Sequence, residues 1–314
     1  NSVLARFQGK DAPVQRTLFE VFREHNDKCV QLSGTDMAPA TVQRYETSLK
    51  HTRDFVWETY HKKDVLLDEV SRQFIEDYEF WLKTEKKCCH NTATKYLKNF
   101  KKITRIALAK GWMKNDPFLE IRFSLDKVEP DFLEDSEIQK LISKEIDIPR
   151  LSQVRDIFVF CCFTGLAFSD IHGLRKEHIV EDSNGVRWIR KGRQKTKIMC
   201  NIPLIEIPLK ILEKYSTNEY CKKHGVLFPV LCNQKMNAYL KELADICGIK
   251  KTLTTHVGRH TFATFALANG VSIESVAKML GHTNVQMTRH YARVLDRTVI
   301  REMSQIKMDL HFSM

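Results

Sequence analysis

Residues 255–294 read THVGRHTFATFALANGVSIESVAKMLGHTNVQMTRHYARV, and two folds compete for them. The first is a helix-turn-helix: an Ala-rich helix, Asn269-Gly270, a short helix ending at Gly281, then a recognition helix over 284–293. The second follows from the apolar stripe Val276, Met279 and Leu280. It continues into Val285 and Met287, which predicts burial in a larger core rather than a small free-standing motif. The polar residues are few and spaced. His256 and Arg259 lie three apart and share one helix face. Gly281 is a natural C-cap with His282 behind it, and Tyr291 follows nine residues later. Each has an ordinary explanation as surface decoration, helix-end complement or amphipathic aromatic.

Upstream, Leu151 to Phe163 reads as a buried helix that stops at Thr164-Gly165 and resumes with LAFSDI. Val186–Ile189 and Ile198–Leu204 are β-rich, and RKGRQKTK (190–197) separates them. That pattern predicts a hairpin whose tip carries Arg193, Lys195 and Lys197. Helices are expected over Leu209–Tyr215, over Gln234–Cys247, and from His256 onward with little pause. Asp135 or Ser136 is positioned to cap a helix reaching about Ser143.

The stretch LEIRFSLDKVEPDF, 119–132, loses the helical period and contains Pro130, so it reads as a linker. Before it the pattern is almost wholly helical. Helices are expected from Thr17 to Leu32, from Pro39, from about Ser71, and after Asn91 as far as Gly111. Short connections between four helices make a bundle. The fourth helix carries Lys95, Lys98, Lys101, Lys102 and Arg105, either a solvated face or a phosphate-contacting surface. The fold expected is mainly α with one small antiparallel β-sheet. It comprises an extended segment over 1–13, a helical domain to 118, the linker, and a second domain over 133–314 with a C-terminal tail. The tail carries Ile300, Met303, Ile306 and Leu310.

Composition narrows the partner. The 50 Lys and Arg against 39 Asp and Glu give +11 and a pI near 9.1, which favours a polyanion. Nine Cys without a CxxC pair point to reduced thiols in the cytoplasm rather than a zinc ribbon. No apolar run reaches the roughly 18 residues of a spanning helix, and no P-loop or acidic cluster calls for a nucleotide or metal. The chain opens on Asn1 rather than Met, which leaves room for an upstream segment.

In chain order the polar set is Lys, His-x-x-Arg, Gly-His and Tyr. That ordered set resembles the tyrosine recombinase family of phage and transposon integrases, and the GLAFSDI and QKT wording resembles integrases of Bacteroidetes mobile elements. The resemblance spans both domains. It implies a helical, SAM-like core-DNA-binding domain and a catalytic domain that together clamp duplex DNA, with no cofactor. Tyr291 would be the nucleophile, forming a 3′-phosphotyrosyl bond, and Arg259 a phosphate-binding arginine. His256 and His282 would bind phosphate and assist proton transfer. Lys195 would protonate the leaving oxygen, with Lys197 the fallback. The chemistry needs these types: a phenol with an ordinary pKa near 10 needs a positive site and a base, and arginine forks match the transition-state oxygens. The family parallel also implies a tetramer on DNA, with a monomer possible off it, tails docked on neighbouring protomers, and in some systems a host DNA-bending protein.

One element departs. The family's TGL-x-x-S-[DE] segment carries an arginine directly after TGL, where this chain has Ala167; Asp170 falls at the acidic position and is expected to orient its neighbours. Arg155 is the first candidate to replace the missing charge, ahead of Arg175 and Arg193. Twelve residues of straight helix span about 18 Å, so Arg155 reaches the site only if the chain reverses at Thr164-Gly165. The rivals are a non-catalytic DNA-binding regulator, whether helix-turn-helix or an inactivated relic, and a type IB topoisomerase-like relaxase.

Overall fold

A computed structural model of the protein describes residues 15–291. The extended segment expected over 1–13 and the tail after Tyr291 lie outside the described residues. The chain forms two compact units that part between Val128 and Glu129.

The first unit is helical: α1 (Leu18–Gln31), α2 (Pro39–Tyr60), α3 (Arg72–Thr84) and α4 (His90–Ala109), with one 3₁₀ turn at Leu67–Glu69. Its core is aromatic. Phe22, Phe55, Phe74, Tyr78 and Phe100 are buried against one another, each ring removing a large apolar area from water. The segment expected to be a free linker starts as part of this unit. Phe118, Ile121 and Phe123 pack on its core, Asn91 exchanges two hydrogen bonds with Asp126, and His90 Nε2 meets the Ser124 carbonyl. Lost helical periodicity marked a change of backbone, yet Ile121 and Phe123 still pack on the core, while Leu119, Leu125 and Val128 stay exposed.

The second unit is built on α6 (Pro149–Thr164), after a short α5 (Asp135–Ser143). Its residues from Ile157 to Thr164 are all buried, because helices cover it on several sides. One is α11 (Thr255–Ala268), and Gly258 lets the two approach: a Cβ there would lie 3.2 Å from Phe158. Others are α8 (Glu206–Tyr215) and α10 (Asn233–Ile246). Helix α6 stops at Gly165, in the left-handed region at φ 67°. The chain restarts at Ala167 as the N-cap of the short α7 (Phe168–His172). The sheet is antiparallel, in the order β1 (Ile179–Glu181), β2 (Arg187–Gly192), β3 (Met199–Pro203). Ile189 opposite Ile202 turns its apolar face inward. The hairpin is present, with a third strand too short to be read from periodicity.

The end of the described chain settles the competition between folds. After α9 (Glu219–His224), α10 and α11, helix α12 (Ile273–Leu280) ends at Gly281. Where a recognition helix was considered, residues 285–287 form one 3₁₀ turn and 288–291 are turns. Val276, Leu280 and Tyr291 join Phe262 and Ala266 in a buried cluster, whereas Val285 is only half-buried and Met287, expected in the core, is exposed. The stripe is therefore interior through α12 and Tyr291 and not through the turn between them. All nine cysteines are free thiols. No helix among the described residues is long and apolar enough to cross a membrane.

Candidate active site

Three helix ends and the hairpin build the site. Arg259, on the first turns of α11, is only 3% exposed. Its Nη1 donates to the Gly165 carbonyl at the end of α6, 2.6 Å away, and its Nη2 to the Leu280 carbonyl at the end of α12, also 2.6 Å. Helix C-terminal carbonyls lack intrahelical partners, so the guanidinium is a ready donor for two of them. Gly165 has to be glycine on two counts, its φ and its space: a Cβ would lie 2.4 Å from Phe262 and 2.8 Å from Leu280.

His282 follows directly. Arg259 Nη2 lies 3.1 Å from its Nε2, and Thr288 Oγ1 lies 2.9 Å from its Nδ1. Arginine can only donate, so Nε2 is the acceptor, and Nδ1 carries the proton and donates to Thr288. Burial, then the charges of Arg259 and Arg193, push the His282 imidazole down to about 4. It is therefore neutral at pH 7. The Tyr291 ring stacks on His282 with centroids 6.2 Å apart and also meets His260 at 5.0 Å. His260 in turn contacts His256 at 4.3 Å. Burial raises the Tyr291 phenol above its usual range, and Arg259 and Arg193 pull it partly back. His256 reaches solvent, yet desolvation, then Arg259, Arg193 and Lys195, hold it below the ordinary imidazole value.

The structure thus brings Tyr291, Arg259, His256 and His282 together, with the hairpin residue Arg193 beside them. Lys195 and Lys197 are both exposed on the turn, which closes through Lys197 N–H to the Arg193 carbonyl at 2.8 Å. Lys195 is the one close enough to bear on His256.

Arg155 is not part of the site. Its Nη1 donates to the Lys144 carbonyl at 2.7 Å, and Nε and Nη2 hold Asp156 at 3.1 and 3.0 Å. Asp156 also binds Lys214 and the Tyr215 hydroxyl. The chain does turn at Gly165, but ten residues of α6, about 15 Å of rise, separate Arg155 from that end. Arg155, expected to replace the missing charge, is claimed instead by the buried carboxylate beside it.

On the first unit, Lys95, Lys98 and Lys102 are exposed along α4 with Arg105, on one face by spacing. Lys101 turns aside, its ammonium 5.5 Å from the rings of Phe118 and Phe123. Sequence reading missed His260 and Thr288. The first was legible as the fourth residue after His256 on one helix face; nothing local marked the second.

Two family profiles match the chain. One, described as "Phage integrase SAM-like domain", covers residues 17–127, and one described as "Phage integrase family" covers 131–298. The chain belongs to the phage integrase family. Among curated proteins it is 29% identical over 265 residues to a tyrosine recombinase of Pseudothermotoga lettingae, covering 82% of this chain and 88% of that one. It is 26% identical to tyrosine recombinase XerD of Oceanobacillus iheyensis, covering 81% and 87%. In fold it is similar to a lambda integrase dimer bound to a COC′ core site (TM-score 0.71, 16% identity, 100% of this chain and 84% of that one). It is also similar to the Tn1549 transposon integrase in complex with a circular intermediate DNA (TM-score 0.69, 17% identity, 92% and 99%). This integrase-family chain is a tyrosine recombinase, an enzyme of site-specific recombination.

Proposed function

We propose that the protein is the integrase of a mobile element, which cleaves and rejoins duplex DNA through a 3′-phosphotyrosyl intermediate. One observation carries the reading: a buried tyrosine, Tyr291, stacked on a neutral histidine that a buried arginine, Arg259, holds in place. The Tyr291 oxygen attacks phosphorus, the phosphorus–5′-oxygen bond breaks, and a later DNA hydroxyl reverses the exchange. The bond energy is kept in the covalent intermediate, so no cofactor is required. Neutral His282 accepts rather than donates at Nε2, which suits it to receive a proton. His256 lies close enough to assist, and Lys195 is positioned on the exposed turn to protonate the departing oxygen.

The basic stripe on α4 and the similarity to integrases solved on DNA support duplex DNA as substrate. Lambda integrase is also solved as a tetramer on a Holliday junction, and a tetramer is the assembly proposed here. A host bending protein is compatible with this reading. The test is a nicked suicide substrate. Wild type should form a covalent protein–DNA adduct, and Tyr291→Phe should form none. Binding with no wild-type adduct would point instead to the relic reading that Ala167 invites. Relaxation of supercoiled plasmid without strand exchange would point to a relaxase.

A further inference from the structure

We propose that Thr288 is a positioning residue for the reaction: its hydroxyl oxygen fixes the tautomer of His282, and its backbone ties that histidine to the turn that presents Tyr291. The inference rests on the recombinase reading above. Thr288 is fully buried, at 0% exposure, in a stretch with little regular structure. Helix α12 ends at Gly281, in the left-handed region at φ 60°, and the His282 N–H returns to the Ala277 carbonyl at 3.0 Å. Residues 285–287 then make one 3₁₀ turn, which the Asn284 side chain caps by accepting from the Gln286 N–H at 2.8 Å. Thr288 closes that turn with its own N–H on the Val285 carbonyl, 2.8 Å away. Its carbonyl accepts from the Tyr291 N–H at 2.9 Å. The backbone of one residue thus sets where the nucleophile begins.

The side chain does the rest. Thr288 Oγ1 lies 2.9 Å from His282 Nδ1, six residues back along the chain. The opposite ring nitrogen, Nε2, faces Arg259 Nη2 at 3.1 Å, and arginine has no lone pair to offer. One neutral tautomer satisfies both neighbours, with the proton on Nδ1 and the lone pair on Nε2. Arg259 alone does not hold it. Without the Thr288 oxygen, the Nδ1–H would be a buried donor with no acceptor, which is costly. The ring would then exchange tautomers or turn, and Nε2 would no longer keep a lone pair toward the site. The Tyr291 ring lies 15° from parallel to that imidazole, with centroids 6.2 Å apart, so a turned ring disturbs the nucleophile too. Thr288 therefore acts through His282 and Tyr291, without touching DNA and without exchanging a proton with it.

Three measurements test this: single-turnover adduct formation on the suicide substrate per folded molecule, DNA binding by anisotropy, and NMR of the protein with ¹⁵N-labelled histidine. Thr288→Val keeps the branched shape and removes the acceptor. It should slow adduct formation about 10- to 100-fold, the loss an unsatisfied buried donor commonly brings, with DNA affinity unchanged. Thr288→Ser keeps the hydroxyl and should stay within a few-fold of wild type. The His282 proton should sit on Nδ1 in wild type and in Thr288→Ser, and should leave Nδ1 wholly or in part in Thr288→Val. A double-mutant cycle separates positioning from packing: added to His282→Gln, Thr288→Val should cost little more, because residues that act through one another are not additive. If His282→Gln cleaves too slowly to compare, the tautomer and the rescue by serine decide. Wild-type adduct formation in Thr288→Val, an Nδ1 proton that survives there, or the full loss repeated in the His282→Gln background overturns the assignment. A wild type that forms no adduct overturns the recombinase reading, and the NMR spectra still decide whether Thr288 sets the histidine.

Discussion

His282 shows how much one hydrogen-bond partner can decide. Facing a donor-only arginine, its Nε2 keeps its lone pair, and Thr288 takes the Nδ1 proton. A second proton would place N–H against N–H. The folded pKa of about 4 lies below the ordinary 6.5, so as acid is added the unfolded chain binds the proton first. Stability from this residue is complete above pH 6.5 and is lost as pH falls through about 4. His25, His51, His178 and His256 are also held low, each chiefly by burial, so the contribution has to be isolated. His282→Gln should lose less stability than wild type between pH 7 and pH 5 in urea titrations. An NMR titration of the His282 ring should show no midpoint above pH 5; one near 6.5 would sink the tautomer assignment.

Among the elements, the junction of α6 with α7 does most to assemble the site, and Gly165 makes it. Gly165→Ala adds left-handed strain of about 1–2 kcal/mol and overpacking of about 1–3 kcal/mol against Phe262 and Leu280. Gly248→Ala is the comparison: φ is also positive, at 64°, but nothing lies within 4 Å of its Cβ, so only the strain remains. Urea midpoints should separate the two variants by at least about 1 kcal/mol, and equal losses would remove the close-approach argument. Helices of this kind were legible because their periodicity is local. Leu151–Phe163, the basic hairpin and the bundle helices are present within a few residues of expectation. The three-residue β1 carried too little pattern to see, and the turn at 285–287 looked helical because Val285 and Met287 continue the spacing of the α12 stripe, although Met287 is exposed. At the site, the resemblance carried by chain order and spacing pointed to Tyr291, Arg259, His256 and His282, which lie near one another in the fold. The order of candidates for the missing arginine was less legible: Arg155, placed first, is held by Asp156, whereas Arg193, placed behind it, is brought to Asp170 from 23 residues away by the hairpin.

For the molecule as a whole, the +11 charge takes on meaning through its arrangement. Lys95, Lys98, Lys102 and Arg105 recur at three- and four-residue spacing on α4. Replacing all four with Gln should lower the slope of log affinity against log salt by about 0.9 for each phosphate that is no longer neutralised. A slope unchanged from wild type would make the stripe a solvated face only. Among the described residues, the side chains that meet Tyr291 belong to the second unit, so changes on α4 should alter binding while leaving His282 and Arg259 undisturbed. Arg259 itself has a different standing. Because it closes the ends of two helices besides contacting His282, its position is tied to the architecture, and a change there should register in folding as well as in chemistry.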